Sequence, residues 1–69
     1  MITEIGIAAG DIWHYLDSHG KTKLNDLFSN IDKPRDLLLM SIGWLAREGH
    51  VILADEGQGY CITLRKVEN

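Results

Sequence analysis

Two short apolar runs, Val51-Ile52-Leu53-Ala54 and Tyr60-Cys61-Ile62-Thr63-Leu64, flank the turn-forming stretch Asp55-Glu56-Gly57-Gln58-Gly59. This feature constrains the fold most, because alternation of Tyr60, Ile62 and Leu64 after a glycine-containing interval reads as the second strand of a β-hairpin. Everything before it follows a helical period. The competing reading, three helices followed by a disordered tail, leaves that alternation without a cause.

The first helical segment runs from Thr3 to His19. Ile5, Ala8, Ala9, Ile12, Trp13 and Leu16 recur at intervals that place them on one face. Gly20 is suited to stop it in a left-handed end conformation, where a Cβ would clash. Lys21-Thr22-Lys23 reads as a stub of strand. A second helix follows from Leu24 to Asn30, with Asn25 and Asp26 in its first turn and Leu24, Leu27, Phe28 and Ile31 as its stripe. Asp32-Lys33-Pro34 interrupts the pattern, with Asp32 as the expected cap and Pro34 in the first turn of a third helix that extends to Glu48 and ends at Gly49. Helix, short strand, helix, tight turn, helix and hairpin is the order of an α+β winged helix-turn-helix, here expected as a single domain over residues 1–69.

The chain has 69 residues, 45% of them hydrophobic and 25% charged, which suits one ordinary folded domain rather than a disordered segment. A domain of this size buries only roughly 60% of its unfolded surface, so its packing must be good. The one cysteine, Cys61, has no partner for an internal disulfide. With no basic leader in Met1 to Gly10 and no apolar run near the ~20 residues of a membrane span, a cytoplasmic protein is expected. Seven Lys and Arg against ten Asp and Glu leave a net charge of -3. That balance argues against a general nucleic-acid binder, whose affinity depends on cations displacing counterions from phosphate.

Leu24-Asn25-Asp26-Leu27, followed by Ile42-Gly43-Trp44-Leu45-Ala46-Arg47-Glu48-Gly49, resembles a family of small stand-alone winged helix-turn-helix proteins of bacteria and archaea whose function is unknown. The Gly-Trp-Leu-Ala-Arg-Glu segment is the most specific part. The resemblance covers nearly the whole chain. It implies the fold and supplies no ligand, cofactor or catalytic residue.

In a DNA reader of this fold the third helix turns Arg, Lys, Asn, Gln or Ser toward base edges. Here Leu38, Ile42 and Leu45 form the expected core face. The opposite face carries Asp36, Met40, Gly43 and Arg47, flanked by Leu37 and Trp44 on one side and Leu39 on the other. Leu37, Met40 and Trp44 form a second apolar stripe. Two readings fit it: cover by the first helix or the wing within the monomer, or an exposed patch for a protein partner or a second copy of the chain. Gly43 fits either, since it permits close backbone approach. The candidate protein interface is therefore Leu37, Met40, Gly43 and Trp44.

The candidate nucleic-acid contacts are Lys21, Lys23, Lys33 and Arg35 around the starts of helices two and three, supplemented by Arg65 and Lys66. Asp26, Asp32 and Asp36 are interleaved with the first group, and Asp55 and Glu56 give the wing tip the wrong sign for phosphate. DNA binding through this patch is the second reading. Pairing of the wing edge with a strand from another chain is a third.

Nothing points to catalysis. His14 and His19 are five apart and so do not form a four-apart metal pair. Gly57-Gln58-Gly59 is a turn rather than a phosphate loop, and Cys61 has no neighbouring base in sequence. Trp13 and Trp44 read as core or interface aromatics rather than stacking platforms for bases. A non-enzymatic docking module is expected, with no cofactor, metal, small-molecule ligand or membrane contact.

Overall fold

The stripes and the hairpin signal become six elements in a computed structural model that describes residues 1–65. They are α1 (Ile2–His19), β1 (Thr22–Lys23), α2 (Leu24–Asn30), α3 (Arg35–Arg47), β2 (Val51–Asp55) and β3 (Tyr60–Leu64). The strands make an antiparallel sheet in the order β1-β3-β2, so the last strand occupies the centre. Thr22 pairs with Ile62 and Lys23 with Cys61, while Leu53 and Ala54 meet the same two residues from the other side. Because partners across a ladder share a face, Thr22, Ile62 and Leu53 point one way and Lys23, Cys61 and Ala54 the other.

The Ile62 face and the helices enclose one core. Ala9, Ile12 and Leu16 of α1, Leu27 of α2, Leu38, Ile42 and Leu45 of α3, and Val51 and Ile62 of the sheet form a continuous buried cluster. Tyr60 lies on the same face yet is exposed, because it sits at the wing end, beyond the helices. Trp13 departs from expectation in the same way. It follows the α1 stripe by spacing but lies at its rim, partly exposed.

The helix ends refine the sequence reading. Gly20 has a positive φ of 74° but a ψ of -155°, so it leaves the helix in an extended conformation open to glycine rather than in the left-handed helical one. Its amide donates to the Leu16 carbonyl at 2.8 Å. Asp32 makes no capping bond. Pro34 is itself the N-cap of α3, in an extended conformation with ψ 138°, and its carbonyl accepts the Leu38 amide at 3.0 Å. At the other end, Gly49 (φ 77°) donates to Ala46 and His50 to Leu45, the two bonds of a Schellman cap. That cap turns the chain directly into β2.

Candidate interaction surface

The core positions of α3 fix which residues face outward. With Leu38, Ser41, Ile42 and Leu45 buried, the helix presents Leu39, Met40, Gly43 and Trp44 to solvent. Leu39, Met40 and Trp44 are 43%, 42% and 46% exposed, so among the described residues α1 and the wing cover this face only in part. Leu37 is half-buried at its edge. Of the two readings of the stripe, the exposure of Met40 and Trp44 favours the open patch over full cover within the monomer.

On its α1 side the surface continues into a shallow groove of about 290 Å³, where Gly6, Gly10 and Trp13 of α1 face Trp44 and His50. The Trp44 and His50 rings lie 6.2 Å apart. The missing side chains at Gly6 and Gly10 leave the groove floor open between the two indoles.

The cations of the candidate nucleic-acid patch are not left as one group. The Lys21 ammonium lies 2.7 Å from the Glu56 carboxylate of the wing tip. The Lys33 ammonium lies 3.3 Å from Asp11 of α1. The Arg35 guanidinium sits 5.0 Å from the centre of the Phe28 ring, a cation–π contact. Lys23 and Arg35 line a cleft of about 520 Å³ between α2, the start of α3 and the wing, together with Asp26 and Glu56. Arg65 does not line this cleft. Its amide donates to the His50 carbonyl, and its guanidinium is near Gly49 at the base of the wing. It is four residues along β3 from the Lys23 pairing, about 13 Å away by strand geometry. Arg65 therefore stands at the base of the wing rather than in the cleft with Lys23 and Arg35. Lys66 lies outside the described residues.

The ion pair at the wing shifts both partners. Its hydrogen bond and charge hold the Glu56 carboxyl below the usual carboxylate range and raise the Lys21 ammonium above its ordinary value. Cys61 is buried on the sheet face turned toward the cleft, and burial, followed by the Glu56 carboxylate, pushes its thiol up. Both causes oppose a thiolate and outweigh the charges of Lys21 and Lys23, which favour it. His14 contacts the edge of the Trp13 ring, while His19 stacks on Tyr15 at 4.0 Å and bonds to the Tyr15 carbonyl.

Two polar residues, Thr22 and Ser41, are buried, and the sequence reading anticipated neither burial. The Ser41 hydroxyl is fully buried, donates to the Leu37 carbonyl at 2.8 Å and lies 3.2 Å from the Ile5 carbonyl of α1. Its signal was position: it falls within the Leu38, Ile42, Leu45 face.

Three helices with a C-terminal hairpin wing, and α2 and α3 joined by a tight turn, define a winged helix-turn-helix domain. The chain belongs to the family described as Winged helix-turn-helix domain (DUF2582), whose model matches residues 1–64. No curated protein and no solved structure gives a match.

Proposed function

We propose that this chain is a non-enzymatic docking domain that meets protein through the outer face of α3. What carries the reading is the exposure of Leu39, Met40 and Trp44 on the helix face that a DNA reader would turn to bases. Leu39 and Met40 offer base edges no strong donor or acceptor and Trp44 only its indole N–H, whereas an apolar surface of this kind favours a protein partner. The cations add support. Lys21 and Lys33 already contact carboxylates within the domain, so moving onto phosphate would give up those pairs. Winged helix-turn-helix domains commonly bind DNA, and that is the competing outcome of the test.

The test is an amide NMR titration with a mixed-sequence DNA duplex at low salt. Unchanged shifts at high duplex concentration are expected. Shifts confined to Lys21–Asp36 and the wing, reversed by added salt, would establish nucleic-acid docking and overturn the reading. Lys33→Glu with Arg35→Glu would then abolish that binding.

A further inference from the structure

The cleft between α2, the start of α3 and the wing holds charge and apolar wall that docking through α3 leaves unused. Lys23, the last residue of β1, and Arg35, the first of α3, bring two cations to it. Neither enters an ion pair among the described residues. Arg35 lies over the Phe28 ring, and a guanidinium stacked on a ring keeps its in-plane N–H donors free for a planar acceptor. The sheet adds a further donor. The Glu56 amide donates to Gly59 and the Arg65 amide to His50, so by ladder alternation Gly59, Cys61, Thr63 and Arg65 turn their backbone groups toward β2. Tyr60 turns its amide to the opposite side, where β1 has ended at Lys23 and no strand residue pairs with it. Of the two acids at the cleft, Glu56 is neutralised by Lys21 at 2.7 Å. Asp26 against Lys23 and Arg35 then leaves a surplus of one positive charge. Leu24, Phe28, Leu39 and Tyr60 supply the apolar wall, and Leu39 and Tyr60 are well exposed on it.

We propose that this cleft is a binding site for a small aromatic carboxylate, a planar ring that carries a single negative charge. The carboxylate takes Arg35 as a two-pronged donor and Lys23 as a point charge. The ring lies against Phe28, Leu39 and Tyr60, whose two aromatic side chains favour a flat partner over an aliphatic one. A surplus of one positive charge suits a monoanion, whereas a phosphate group with its charge of about -2 would keep part of it unpaired. The cleft volume of about 520 Å³ falls within the roughly 300–1,000 Å³ of small-molecule sites. Chain order does not bring Lys23, Arg35 and Tyr60 together; the packing of the wing beside α2 and α3 does. The site stands independently of what the outer face of α3 meets, although Leu39 belongs to both and puts a bound acid at the border of that face.

Amide NMR titrations with indole-3-acetate and with its neutral analogue indole-3-acetamide test the site. The acid should give saturable shifts around Phe28, Arg35, Tyr60 and Cys61, with a Kd on the order of 1 mM or below. The neutral analogue should bind about tenfold or more weakly, because it keeps the ring and loses the charge-assisted bonds. Arg35→Met and Lys23→Met, each checked for folding by circular dichroism, should each weaken binding of the acid and bring it toward that of the analogue. No saturable shift at ~10 mM acid would overturn the site. Shifts centred on the Trp13 and Trp44 groove instead would do the same. Equal affinity for acid and neutral analogue would overturn its assignment to an anion.

Discussion

At the scale of single residues, Gly43 and Ser41 carry the most information. Gly43 sits in the middle of α3 without a positive φ, and a methyl group there would meet open space. Nothing in the monomer requires glycine, whose backbone freedom in the unfolded chain costs a helix about 0.5–1 kcal/mol relative to alanine. Gly43→Ala should therefore raise monomer stability by about that amount, read from urea unfolding at low micromolar protein. If α3 meets a partner closely at this position, the same methyl group should weaken that docking. A rise in one measurement with a fall in the other would separate the two roles of the site. Ser41 shows why the core was not fully legible in the sequence. Its hydroxyl has acceptors supplied by two helices, Leu37 on its own and Ile5 on α1, and only the second depends on how the helices pack. A polar residue with a local partner looks the same on a surface as in a core.

At the scale of elements, the periodicities translated directly. One stripe of each helix became a buried face, with Trp13 left at its rim, and the alternation of Tyr60, Ile62 and Leu64 became the central strand of the sheet. The helix ends were less readable, because Asp32 has the right chemistry for a cap while Pro34 occupies the position. Least readable was the fate of the cations. Lys21 and Glu56 are 35 positions apart, and the sheet brings the end of α1 against the wing tip. The Glu56 carboxyl should accordingly titrate below the ordinary range in carbon-detected NMR, and Lys21→Met should move it back up. The sign follows from linkage. A carboxyl with a lowered folded pKa contributes stability above its unfolded pKa and loses it as pH falls through the folded value. The raised Lys21 contributes below its unfolded pKa and loses that contribution as pH rises through the folded one. Between these limits the wing tip is held to the α1–β1 turn.

At the scale of the whole molecule, one cluster joins every helix to the sheet, so the domain has no independent part to fall back on. Ile12 is fully buried at its centre. Ile12→Ala removes packing worth about 2–5 kcal/mol, and a core this small supplies little more than about 3–5 kcal/mol in total. Far-UV circular dichroism should find that variant largely unfolded at 25 °C, whereas the exposed Met40→Glu should keep the native spectrum. The central place of β3 also sets the order in which the fold can be completed in a cell. Thr22 leaves the ribosome 40 residues before its partner Ile62, which at about 5–20 residues per second is a wait of roughly 2–8 s. Late in that interval, once α3 is complete at Arg47, the inner faces of the three helices still have no sheet to close against. A nascent chain at that stage displays the surface that chaperones recognise, and the arrival of its last strand decides folding for the whole domain at once.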